Sequence, residues 1–220
     1  MSDAAPPTIP AYGRIRIPVS HGALEAVLKE SADGSPRAAA VLCHPHPLHG
    51  GTMNNNVVYR AGKAMNDAGL AVLRFNFRGV GQSTGTHAHG VGEEDDAVAA
   101  LDYLQTLYPG LPLWMAGFSF GARVGLTVGA RDDRVSKLLG VGLALKMFDY
   151  TVLATCRKPK AIVQASEDEY GGRAEIEVAV AAMPPPKALF IVDGATHLYP
   201  KHLDEFERAA AAAVGFLQTQ

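Results

Sequence analysis

Short apolar runs of strand length recur along this chain with helical-looking stretches between them, and that alternation constrains its fold more than any other feature. Residues 14–19 and 23–29 alternate in polarity and predict two antiparallel strands joined through His21-Gly22. Residues 38–43, 70–75, 111–116, 138–145, 160–164 and 188–192 read as buried strands bounded by turn residues. Residues 57–68, 93–108, 122–130 and 173–182 read as helices, as does a C-terminal stretch bearing Leu203, Phe206, Ala210, Val214 and Leu217. Strands alternating with helices predict an α/β fold: a mostly parallel central sheet with helices on both faces and an antiparallel N-terminal edge. No repeat or low-complexity linker interrupts the pattern. One domain is expected over residues 13–220, after an Ala- and Pro-rich flexible tail at residues 1–12.

Composition removes several classes of function. The 220 residues are 48% hydrophobic and 19% charged, with a formal net charge of -2, which suits a globular domain with a substantial core. Basic residues are scattered, so no nucleic-acid partner is expected. Cys43 and Cys156 supply neither a disulfide framework nor a zinc ligand set, and reduced thiols are expected. The N-terminus lacks the basic and apolar blocks of a secretory signal, and no apolar run is long enough to span a bilayer. The expectation is a cytoplasmic protein with no membrane partner and no cofactor; oligomeric state leaves no signal.

Gly117-Phe118-Ser119-Phe120-Gly121 sits between a strand candidate and a helix candidate. A serine hydroxyl becomes nucleophilic when a base takes its proton, and a tight strand-to-helix turn flanked by glycines presents it to that base. In an open α/β sheet, working groups collect beyond the carboxyl ends of the strands. The polar clusters fall there: His44 to Gly51 after the strand at 38–43, Asn76 to Ser83 after 70–75, Glu167-Asp168-Glu169 after 160–164, and Gly194-Ala195-Thr196-His197 after the last strand. Ser119, Asp168 and His197 therefore form a candidate catalytic set of nucleophile, acid and base in that chain order. Glu167, Glu169 and Asp193 are the alternatives for the acid.

A tetrahedral intermediate needs fixed N–H donors for its oxyanion. Phe120 N–H is the first candidate, and the loop after residue 43 should supply the second. Proline has no N–H, so Pro45 and Pro47 are excluded, leaving His46 first and Leu48 next. Two rival readings fare less well, and a third cluster needs no role in the site. His44, His46 and His49 could bind a metal, but three ligands crowded around two prolines converge poorly and Ser119 would go unexplained, so no metal is expected. Arg78-Gly79-Val80-Gly81 lacks the third glycine and adjoining helix of a dinucleotide site. Glu93, Glu94, Asp95 and Asp96 read as a solvated helix N-terminus.

The chain resembles the α/β-hydrolase superfamily, above all its small lidless serine hydrolases of carboxylesterase-like or dienelactone-hydrolase-like type. The resemblance rests on His44-Pro45-His46-Pro47 with Gly50-Gly51-Thr52-Met53-Asn54, on Phe75 to Ser83, on Ala116 to Gly121, and on Asp168 and Gly194 to His197. It implies an α/β-hydrolase fold, a Ser119-Asp168-His197 triad, an oxyanion hole at Phe120 and His46, and cleavage of a small carboxylic ester through an acyl-enzyme. Thioesterase, amidase and catalytically silent binding protein are the alternatives. His44-Pro45 stands where many members have His-Gly, Ala165-Ser166 where they have Gly-Asp, and Asn76 where an Asp is frequent. Dienelactone hydrolases use a cysteine nucleophile, so Ser119 argues against that substrate. Residues 145–159 occupy the usual place of a lid and are too few to fold one. Leu48, Phe118, Met147, Phe148 and Tyr199, with Phe120, are expected around the substrate.

Overall fold

The computed structural model describes residues 12–220. Its strands are β1 (Tyr12–Val19), β2 (Gly22–Lys29), β3 (Ala38–Cys43), β4 (Leu70–Phe75), β5 (Leu113–Phe118), β6 (Val135–Val141), β7 (Lys160–Ala165) and β8 (Lys187–Val192). The helices are α1 (Asn56–Asp67), α2 (Val91–Leu107), α3 (Phe120–Arg131), α4 (Arg173–Ala181) and α5 (Leu203–Gln218). The expected tail lies outside the described residues except for Tyr12, which opens β1.

One 8-stranded sheet runs in the order β1-β2-β4-β3-β5-β6-β7-β8. β1 and β2 are antiparallel at one edge, and everything from β4 to β8 is parallel. Every residue of β3, β4, β5 and β7 is buried, as expected of strands covered on both faces. One face packs on Val57, Val58 and Met65 of α1 and on Phe206, Ala210 and Val214 of α5. The other packs on Leu101 and Leu104 of α2, Val124 of α3 and Ile176 of α4.

Local differences from the sequence reading have physical causes. β5 starts beyond Pro112, which has no N–H for a ladder, and runs on through Phe118. β6 lies upstream of the expected stretch because the Leu143 N–H leaves the sheet for the Gln164 side chain at 2.8 Å. The acidic start of α2 is only partly a solvated face. Glu93 and Asp96 are fully buried. Glu93 accepts the Ala88 and Gly90 N–H groups at 2.9 and 2.7 Å. Asp96 accepts the Arg78 N–H at 2.9 Å and its guanidinium at 2.7 Å, and His21 Nε2 lies 3.1 Å away. Burial of these charges is tolerated because charge-assisted bonds replace the lost water. Ala97 and Ala100 complete the buried stripe, and Val98 is partly buried beside it.

β3 lies between β4 and β5, so the chain leaves it to one side and returns on the other. That switch opens a crevice beyond the carboxyl ends of β3 and β5. At its edge Ser119 joins β5 to α3 with φ 57 and ψ -118. A Cβ on Gly117 would collide with the Gly121 carbonyl, and one on Gly121 with the carbonyls of Cys43 and His44. Gly121→Ala should therefore cost about 3 kcal/mol, the upper range for overpacking a tight site. Gly215 is exposed within α5, and a Cβ there would meet nothing within 4 Å, so it should behave oppositely. Gly215→Ala should gain about 0.5–1 kcal/mol of helix stability. Urea unfolding midpoints of the two variants check both signs.

Candidate active site

Three loops bring together side chains that are distant in sequence. Ser119 Oγ lies 2.8 Å from His197 Nε2, and His197 Nδ1 lies 2.7 Å from Asp168 Oδ2. A carboxylate only accepts, so His197 Nδ1 carries the proton and Nε2 is free to accept from the serine hydroxyl. Asp168 is 3% exposed, and its remaining capacity is met by the Tyr170 N–H at 2.9 Å and Gln164 Nε2 at 3.0 Å. Of the four acids that the sequence offers, Asp168 alone reaches the imidazole. Asp193 pairs with Arg173, Glu167 is exposed, and Glu169 accepts the His197 backbone N–H at 3.2 Å. The His197 ring rests near Phe118, with centroids 5.2 Å apart, and meets Tyr170 edge-on at 4.9 Å.

Phe120 is the first residue of α3, where an N–H has no intrahelical acceptor. Among the described residues neither the Phe120 nor the His46 N–H has a protein acceptor. Leu48 N–H, the reserve donor, is instead taken by His46 Nδ1 at 3.2 Å. The loop after β3 is pinned from beneath by His44. Its Nδ1–H donates to the Pro45 carbonyl at 2.6 Å, and its Nε2 accepts the Phe77 N–H at 3.0 Å. With both nitrogens engaged, His44 does not point at a ligand; His46 and His49 stack on each other at 4.4 Å. Burial pulls the His44 pKa down to about 4.

Ser119 opens into a cleft of about 240 Å³ lined by Pro45, His46, His49, Ala144, Met147, Phe148, Glu169, Tyr170 and Leu198, among others. Met147 and Phe148, two of the residues expected around the substrate, line this cleft. Phe118 and Tyr199 do not line it: both are fully buried, Phe118 beneath His197 and Tyr199 against Phe206 at 4.7 Å. Leu48 is 67% exposed on a short turn outside the lining. Tyr170 and Leu198 take their place, each directly beside a member of the Ser119 network. The sequence reading places Gln164 at the end of a strand and gives it no role at the site, although a polar residue inside the run Ala161-Ile162-Val163-Gln164-Ala165 is a legible anomaly. Only a short turn, Thr151–Ala154, is formed between β6 and β7, so among the described residues no capping subdomain covers the cleft.

A family model for the alpha/beta hydrolase fold matches residues 48–154. An uncharacterized protein of Rickettsia prowazekii is 37% identical over 185 residues, covering 80% of this chain and 78% of its own. The structure of an alpha-beta serine hydrolase homologue from Coxiella burnetii superposes with a TM-score of 0.87 at 32% identity, covering 94% of this chain and 99% of that one. The chain belongs to the α/β-hydrolase family. A Xanthomonas campestris α/β serine hydrolase without a lid is also similar, with a TM-score of 0.86 at 27% identity over 95% of this chain and 96% of that one. Among the described residues of this α/β-hydrolase, no helix is long and apolar enough to cross a membrane.

The His44 site generates a pH prediction. Its imidazole titrates near 4 when folded and at about 6.5 when unfolded, so between these values the unfolded chain holds the extra proton. The contribution is full above the unfolded value and is lost as pH falls toward 4, a change of about 3 kcal/mol. Urea unfolding between those limits should show the decline. In His44→Asn, whatever its absolute stability, the fall in stability across that window should be smaller by that amount.

Proposed function

We propose that this α/β-hydrolase is a carboxylesterase that works through an acyl-enzyme on Ser119. The observation that carries the reading is the unbroken run of hydrogen bonds from Ser119 Oγ through His197 to Asp168, at 2.8 and 2.7 Å. As Oγ attacks the ester carbonyl carbon, its proton passes to His197 Nε2. The oxyanion is met by the Phe120 and His46 N–H groups, with the N-terminus of α3 adding its partial positive charge. Collapse expels the alcohol, which takes the proton from His197. Water then gives a proton to the same nitrogen and attacks the acyl carbon, and the acid departs as Ser119 is restored. Asp168 stays ionised throughout, holding the imidazole tautomer and stabilising the imidazolium.

The cleft volume of about 240 Å³ lies just below the range of pockets that enclose drug-sized ligands, roughly 300–1,000 Å³. That size, with no cap among the described residues to extend the walls, favours short acyl groups. Buried, unpaired Cys43 and Cys156 suit a reducing, cytoplasmic setting.

A fluorophosphonate probe should label the protein, and Ser119→Ala should abolish labelling while lowering kcat on the order of 10⁶-fold. Equal labelling of the variant would remove the assignment. In a series of p-nitrophenyl esters, kcat/KM should fall as the acyl chain lengthens; a long-chain optimum would refute the short-acyl reading. Gln164 is a positioning residue, fixing the Asp168 carboxylate without reaching substrate. Gln164→Leu should lower kcat about ten-fold with KM little changed, in line with residues that orient a catalytic group. Gln164→Glu, by setting a second carboxylate against Asp168, should also shift the acidic limb of the pH profile.

A further inference from the structure

One cleft residue carries a charge that the hydrolytic cycle does not use. Glu169 follows Asp168 directly, is exposed, and shares the lining with Ser119, His197, Phe148 and Tyr170. Its carboxylate accepts the His197 backbone N–H at 3.2 Å, and among the described residues no cation pairs with it. Lys146 is nearby but otherwise engaged: its ammonium lies 3.2 Å from Glu175 Oε1 and donates to the Glu169 backbone carbonyl at 3.2 Å, not to the carboxylate. Among the described residues no lysine or arginine lines the cleft.

The surroundings strengthen that bias. Asp168 adds a second carboxylate directly behind His197. His46, on the cleft lining, is held below the ordinary histidine range by burial and by neighbouring imidazoles, which disfavours its charged form. Two aromatic side chains share the wall space. Tyr170 is 38% exposed, and half-buried Phe148 packs edge-on against Phe120 at 5.8 Å. A carboxylate that shares a cleft wall with aromatic side chains attracts organic cations by its charge, and a ring face that such a cation reaches adds the attraction of its quadrupole.

We propose that Glu169, with Tyr170 and Phe148, selects esters that carry an ammonium or quaternary ammonium group close to the scissile carbonyl, and disfavours esters carrying a carboxylate. This rests on the hydrolase reading above and names the substrate class of that same cleft. Glu169 is a specificity determinant here; bond cleavage itself remains with Ser119 and His197.

Matched esters of one size and differing charge test it. Choline acetate, its neutral 3,3-dimethylbutyl isostere and an acetate whose alcohol ends in a carboxylate form one set; a second set places the same groups in the acyl half. At low ionic strength, kcat/KM for the cationic member of one set should exceed that of its neutral isostere by about three- to ten-fold, the scale of an exposed charge acting with an aromatic face. The anionic member should be slowest. Glu169→Gln should bring the cationic-to-neutral ratio close to unity, Glu169→Lys should invert the order, and added salt should shrink the wild-type ratio. The neutral ester is each protein's own reference, so a general loss of activity cancels.

Equal rates for cationic and neutral esters in both sets, or a preference that survives in both variants, would overturn the proposal. Ser119-dependent hydrolysis of neutral esters without charge preference would overturn it alone and leave the esterase reading standing. No Ser119-dependent hydrolysis of any ester would take down both.

Discussion

The backbone turn at Ser119 is the constraint on which the rest of the site depends. Its φ of 57 and ψ of -118 lie in a sparsely populated region that costs about 1–3 kcal/mol for a residue with a side chain. The surrounding structure over-determines it. Ser119 N–H donates to the Val141 carbonyl at 2.9 Å, and its own carbonyl accepts the Arg123 N–H at 3.1 Å and the Tyr150 hydroxyl at 3.3 Å. β5 is clamped between β3 and β6, so the strand cannot rotate to relieve the turn. One conformation thereby does two things: it aims Oγ at His197 and begins α3 at Phe120, leaving an N–H without a helical acceptor. Relaxing the turn would move both groups together.

The opposite wall depends on the parallel register of β7 and β8, whose exits carry Asp168 and His197. Gln164 connects these exits to the end of β6. Its carbonyl oxygen accepts the Leu143 N–H at 2.8 Å, and its amide donates to the Gly171 carbonyl at 2.7 Å and to Asp168 Oδ2 at 3.0 Å. A carboxylate as buried as Asp168 needs several donors to remain charged. It has three, from a side-chain amide, a backbone N–H and the imidazole. A charge fixed in that way can hold a histidine tautomer without moving toward it.

Much of this is legible in the chain because the signals are local. Apolar runs ending in polar clusters mark the strands and the edge at which the chemistry collects, and the order Ser119, Asp168, His197 follows from loop position. What escapes depends on direction or on distant partners. Phe118 adjoins Ser119 in sequence, yet the strand pleat turns its ring into the core shared with α1 and α5. Tyr199 lies two residues beyond His197, but a turn with φ 53 carries its side chain down onto Phe206. Glu93 and Asp96 look solvated in sequence because a helix N-terminus accounts for acids by itself, and nothing in their neighbourhood announces Arg78 or His21. Gln164 is readable, since a lone amide inside a buried strand demands partners, but which groups it ties together requires the fold.

One of those buried acids bears on the cleft through a short relay. Asp96 holds the Arg78 N–H, and the preceding residue, Phe77, gives its N–H to His44 Nε2 at 3.0 Å. His44 in turn donates from Nδ1 to the carbonyl of Pro45, immediately before His46. The loop proposed to supply the second oxyanion donor therefore hangs on an imidazole that must be neutral, because a protonated Nε2 has no lone pair with which to accept the Phe77 N–H. Arginine-anchored Asp96 keeps the Phe77–Arg78 segment in place, and burial keeps the proton off His44. Acid would thus loosen the loop after β3 through a residue that lies beneath the cleft. The loop after β3 is accordingly coupled to α2 by hydrogen bonds that pass beneath the cleft, so its geometry is set by the fold rather than by the ligand.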